Sequence, residues 1–107
     1  MKILFVENHP LFAKTVIEQF LALHEVVVVP TVAAAKAIDA STFDVALVDY
    51  DLPDGKGTDV VRALRASRFA GKIVAVSSKD EGNAELQRAG ADAVCPKRDF
   101  RQITRFL

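Results

Sequence analysis

Residues 45–57 read VALVDYDLPDGKG. Val45 to Val48 form a run of four apolar residues, half of them β-branched, too short for a helix and not alternating in polarity. Such a run is a strand with both faces covered, the pattern of a parallel sheet flanked by helices. It stops at an acid, Asp49, and passes into a segment rich in Pro, Gly and Asp that cannot continue regular structure. An acidic side chain therefore stands at the C-terminal end of a buried strand.

The same rhythm extends in both directions. Strands are expected at Ile3–Val6, Val26–Val29, Ile73–Val76 and Ala93–Cys95 as well, with a helix-period segment between each pair. Pro10 is placed to begin the first helix, in which Phe12, Val16 and Phe20 recur at four-residue steps beside Ala13, Ile17 and Leu21. Thr31 caps a short Ala-rich helix, Thr58 one with Val60, Val61 and Leu64, Ser78 with Glu81 a fourth, and Asp99 with Gln102 the last. Gly71 and Gly90 are read as helix ends. Alternating strands and helices predict an α/β fold, a doubly wound five-stranded parallel sheet of order 2-1-3-4-5, flavodoxin-like.

The chain has 107 residues, half of them apolar, enough for one core, so residues 1–107 are read as a single domain. The 14 basic and 14 acidic side chains cancel, which argues against direct nucleic-acid or membrane binding. The opening apolar run is cut short by Glu7 and Asn8, unlike a signal peptide, and a lone Cys95 among apolar neighbours reads as a buried thiol. A cytoplasmic location is expected.

Acids are concentrated in residues 1–60, which hold 9 against 4 bases, and their positions matter more than their number. Glu7 and Asn8 follow the first strand, Asp49 the third, Ser77 the fourth, and Lys97 lies just beyond the fifth. In an open parallel sheet these strand ends line the crevice where winding reverses, so the five side chains should share one rim. Two carboxylates and an amide oxygen there suit magnesium, a hard cation that keeps part of its water. Asp49 is the candidate nucleophile toward phosphorus, Lys97 the cation for a phosphoryl oxygen, and Ser77 a hydroxyl donor for another. Singly, each residue reads as a cap or a surface charge, and Asp44 and Asp54 are read that way. His9 is read as a loop residue beside a helix cap and His24 as a helix-end cation, neither with metal-ligand spacing.

Four segments, ILFVENHPLF at 3–12, VALVDYDLPDGKG at 45–57, IVAVSS at 73–78 and GADAVCPK at 90–97, resemble the signature blocks of the response-regulator receiver family in order and spacing. The resemblance implies that Asp49 is the phosphoacceptor and that Glu7 and Asn8 occupy the acidic metal-binding pair. It implies further that the main-chain carbonyl of Asp51 is a metal ligand, Ser77 the switch hydroxyl and Lys97 the phosphate-sensing amine. Such a domain accepts a phosphoryl group in a Mg2+-dependent reaction and catalyses its own phosphorylation and dephosphorylation, without being a dedicated turnover enzyme. Its partners would be a sensor histidine kinase or phosphotransfer protein on one side and a downstream protein or fused output domain on the other. The stretch His9-Pro10-Leu11-Phe12 is similar to receivers joined to helix-turn-helix output domains.

The chain also departs from the family pattern. Asn8 stands where a carboxylate is usual, which removes a negative charge beside the ion and predicts weaker magnesium binding. Val94 replaces the usual aromatic switch residue, and valine, stiff at χ1, cannot make its rotamer swing. The fourth and fifth helices are expected to be short. Arg98, Arg101 and Arg105 along the last helix are read as a solvated face. These departures leave open an alternative, a pseudo-receiver that serves as a phosphorylation-independent interaction module. A flavin- or nucleotide-binding protein of like topology is disfavoured, because Glu7-Asn8-His9-Pro10 offers no glycine-rich phosphate loop.

Overall fold

The computed structural model describes residues 1–107. Strands β1 (Lys2–Val6), β2 (Glu25–Val29), β3 (Val45–Val48), β4 (Lys72–Ala75) and β5 (Ala93–Val94) form one parallel sheet of order β2-β1-β3-β4-β5. The helices are α1 (Pro10–Phe20), α2 (Val32–Ala37), α3 (Gly57–Ala66) and α4 (Asp80–Ala89), with 3-10 segments at Ala40–Thr42 and Lys97–Phe106. The expected topology and strand order are the observed ones.

Strand side chains alternate between faces, and the two halves of the core follow that alternation. Leu4, Val6, Ala46, Val48, Ile73 and Ala75 point to one side and pack with Val32 and Ala35 of α2, Val60, Val61 and Leu64 of α3, and Leu86 of α4. Ile3, Phe5, Val45, Leu47, Val74 and Val76 point to the other, against Ala13 and Val16 of α1 and Phe100 and Ile103 of the C-terminal run. Each fully buried Val, Leu, Ile or Phe among them contributes about 1.5–3 kcal/mol relative to exposure. β2 does not share the double cover expected of it. It lies at the sheet edge, and Val28 is exposed.

Several local expectations are corrected. Thr58 caps nothing; the chain enters α3 at Gly57 after Lys56, and Thr58 is buried inside the helix. Ser78 and Glu81 form no capping box, since α4 starts one residue later with Lys79 at its cap position. Asp99 lies inside the C-terminal run at a kink, with φ −111° and ψ 21°. Gly71 ends no helix; α3 stops at Ala66, and Gly71 instead lets the chain pass the Asp44 carbonyl, which an added Cβ would approach to 2.3 Å. Thr31 does cap α2, accepting the Ala34 N–H at 3.0 Å, and Gly90 closes α4 with φ +132°. No helix is long and apolar enough to cross a membrane.

Register brings the strand ends level. Val6 pairs with Val48, Val48 with Ala75, and Ala75 with Val94, so one row crosses the sheet just before the polar residues begin. The ladder runs one step further, with the Glu7 N–H donating to the Val29 carbonyl and the Asp49 N–H to the Val6 carbonyl, each at 3.0 Å. Glu7 and Asp49 are thereby fixed on neighbouring strands at one height.

Candidate functional site

Glu7, Asp49 and Ser77 are almost fully buried, at 1%, 4% and 2% exposure. Buried carboxylates need a cation close by, and Lys97 provides it. Its ammonium lies 2.8 Å from Glu7 Oε1 and 3.1 Å from Asp49 Oδ2, and 4.7 Å from the centre of the Phe12 ring. The Tyr50 N–H donates to Asp49 Oδ1 at 2.8 Å. Burial nevertheless pushes the Asp49 carboxyl above the usual carboxylate range, and the Glu7 charge adds to this, while Lys97 and the Tyr50 N–H pull the other way.

Ser77 is held from α4. Asn83, itself buried, accepts the Ser77 N–H at 2.8 Å and donates its amide to the Ser77 carbonyl at 3.0 Å. The Ser77 hydroxyl accepts the Lys79 N–H at 3.1 Å, and the Lys97 N–H reaches the Ser77 carbonyl at 3.3 Å. The side chain of Asp51 stays at the rim, hydrogen-bonded to Lys56 and, at 3.0 Å, to Lys79. Those two lysines hold the Asp51 carboxyl below its usual range. This leaves the main-chain carbonyl of Asp51 as its candidate metal donor.

The residues present fit a divalent cation. The side-chain oxygen of Asn8 is buried with no hydrogen-bond partner, and Glu7 Oε1, though ion-paired with Lys97, receives no well-directed hydrogen bond. Beside them stands a group that the sequence reading set aside. The Nδ1 of His9 is 2.8 Å from Glu7 Oε2, and donor atoms of Glu7, His9 and Asp49 all lie within 4.8 Å of one another. His9 occupies the cap position of α1 but makes no side-chain capping bond. No spacing rule reveals this contact, because residues two apart meet only through the turn after β1.

The sequence matches the response regulator receiver domain over residues 3–105. The chain belongs to the response regulator receiver domain family. Comparison with curated proteins gives no match. Among solved structures, this receiver domain resembles a CheY-like response regulator receiver domain protein of Methanospirillum hungatei, with TM-score 0.82 and 26% identity over 98% of this chain and 88% of that one. TrrA of Thermotoga maritima, solved in complex with Mg2+ and BeF, gives TM-score 0.84 at 19% identity over 98% of this chain and 94% of that one. DrrB of the same organism, an OmpR/PhoB homologue, gives 0.79 at 26% over 96% of this chain and 48% of that one.

Two further receiver residues escaped the sequence reading. Asn83 carries a legible signal, a polar residue three positions before the buried Leu86 on the same face of α4. Tyr50 carries a weaker one, an aromatic residue directly after the acid. Its hydroxyl donates to Glu85, the Lys56 ammonium lies 5.0 Å from its ring centre, and its ring rests on Gly82, where a Cβ would come within 2.8 Å. Tyr50 therefore ties the Asp49 loop to α4. Asp54 behaves as the cap it was read to be, accepting the Val32 and Ala33 N–H groups at 2.8 and 3.0 Å.

Proposed function

We propose that this receiver domain accepts a phosphoryl group on Asp49 and passes the resulting change of shape to a protein partner. The observation that carries the reading is the Lys97 ammonium seated between Glu7 and Asp49, a cation in reach of whatever charge Asp49 acquires. In the transfer, an Asp49 carboxylate oxygen forms a bond to phosphorus in line with the bond to the donor's leaving group, which departs with its electron pair. Lys97 then has a phosphoryl oxygen to pair with in place of a carboxylate oxygen, and the Ser77 hydroxyl is the donor for another. Glu7, Asn8, Asp49 and the Asp51 carbonyl are the groups that would hold Mg2+. When bound, the ion neutralises negative charge on the transferred group.

Output cannot use a rotating aromatic side chain at Val94. A shift of Ser77 is instead felt by α4 through Asn83, and a shift of the Asp49 loop through Tyr50. The donor fits a sensor histidine kinase or phosphotransfer protein in the cytoplasm, and the recipient a downstream protein or a fused output domain. The same pocket governs loss of the phosphoryl group to water, so the domain times a signal and is not a dedicated turnover enzyme.

Incubation with a small phosphodonor and Mg2+, followed by intact mass measurement, tests the reading. One phosphoryl adduct is expected on the wild type and none on Asp49→Asn. An unmodified wild type would point instead to a phosphorylation-independent interaction module.

A further inference from the structure

The pocket holds a nitrogen donor for which phosphoryl transfer has no use. His9 turns its ring away from the helix end it precedes and onto Glu7. Two donors bound at right angles to one ion at about 2.1 Å stand about 3 Å apart. The 2.8 Å between His9 Nδ1 and Glu7 Oε2 is a hydrogen-bond distance, and it is also close to the spacing of neighbouring ligands. The Asp49 donor lies within 4.8 Å of both, close enough for small side-chain rotations to bring all three onto one centre.

Two independent features favour a cation on this side of the pocket. Lys97 engages Oε1 of Glu7 and Oδ2 of Asp49, so no lysine or arginine pairs with Oε2 of Glu7, which meets only the His9 backbone N–H at 3.1 Å and the His9 ring. Asn8, between Glu7 and His9 in the chain, has a buried side-chain oxygen without a hydrogen bond, an unmet acceptor of the sort a bound ion satisfies. The His9 side chain itself is 62% exposed, so an ion can reach the site from solvent.

We propose that His9 is a metal ligand, and that with Glu7, Asp49 and the Asn8 oxygen it makes this a site for a first-row transition dication. The inference rests on the reading of the pocket as a metal site and goes beyond it in the choice of ion. Magnesium takes oxygen donors and holds its water tightly, whereas imidazole is a ligand for the transition metals. A set of two carboxylates, one amide oxygen and one imidazole gains a nitrogen bond with Mn2+, Co2+ or Zn2+ that it does not gain with Mg2+.

The test uses the full chain as wild type, His9→Ala and His24→Ala. The last is a control, because His24 Nδ1 lies 3.3 Å from the terminal amine and forms a second nitrogen pair. Electron spin-echo modulation of the Mn2+-loaded protein is expected to show imidazole nitrogen in wild type and His24→Ala and none in His9→Ala. In calorimetry, Co2+ affinity should fall about tenfold or more in His9→Ala, as it does even for outer partners of metal ligands, while Mg2+ affinity stays the same. Equal Co2+ affinity with no nitrogen modulation, or modulation that disappears with His24, overturns the inference. In either case Mg2+ binding and phosphorylation of Asp49 persist, and the functional reading stands. Absence of any divalent ion from the wild type would remove the metal site and this inference together.

Discussion

Asn83 grips Ser77 by both of its backbone polar groups, accepting the N–H at 2.8 Å and donating to the carbonyl at 3.0 Å. The contact joins the end of β4 to the first turn of α4 inside the protein, where neither backbone group has water to turn to. An asparagine amide suits the place because it offers one acceptor and two donors in a single plane.

Asn83→Ala leaves the Ser77 N–H without its partner in a buried place, at a cost of about 1–3 kcal/mol. Chemical denaturation is expected to show that loss with an unchanged dependence on denaturant. Asn83→Ala as stable as wild type would mean that water replaces the amide.

Gly57 has no room for a side chain. An added Cβ would stand 1.8 Å from the Asp49 carbonyl oxygen. Gly57→Ala must push the Asp49 strand end and α3 apart, and a loss of about 3 kcal/mol or more is expected. Phosphorylation should fall with it, because the displaced backbone is that of Asp49. Thermal melts together with the mass assay check both.

In metal-free buffer, burial and the Glu7 charge hold the Asp49 carboxyl above its usual range. A folded-state value raised above that of the unfolded chain, about 3.9, gives stability that is present below that pH. It is lost as pH rises through the folded value. Asp49→Asn removes the buried anion and leaves Lys97 paired with Glu7, so it should melt above wild type at pH 7. The gap should close as pH falls below about 4. Equal melting temperatures at pH 7 would show that Lys97 fully offsets the cost of burial.

Asn8→Asp restores a carboxylate next to Glu7. Added negative charge beside a divalent ion strengthens the Coulomb attraction, and much of the gain is offset by the water and amide oxygen displaced. Mg2+ affinity is expected to rise about tenfold, read by calorimetry. No tightening would mean that position 8 does not face the ion.

Asp51 bridges Lys56 and Lys79 over the rim. A pair at this place on the rim, two residues beyond Asp49, is expected to hinder water from reaching a phosphorylated Asp49. Asp51→Ala and Lys79→Ala are each expected to shorten the lifetime of the phosphorylated protein. These pairs are exposed, worth about 0–1 kcal/mol apiece, so stability should barely change. Unchanged lifetimes in both variants would remove this shielding role.

The sequence by itself determined the sheet, because a buried parallel strand must be apolar on both faces and VALV or ILFV can be little else. It determined the rim too, since strand ends in this topology fall along one edge and Glu7, Asp49, Ser77 and Lys97 each follow a strand. Helix starts were less legible. Thr58 and Ser78 have the right chemistry for caps, but α3 begins where Gly57 passes the Asp49 carbonyl and α4 where Ser77 is clamped, and packing overrides a preference of about 1 kcal/mol. Only the tertiary structure decided that His9 turns onto Glu7, that Asn83 holds Ser77 and that Tyr50 rests on Gly82. Side-chain direction around a turn depends on which neighbour offers a partner at hydrogen-bond distance, and no periodicity along the chain encodes that.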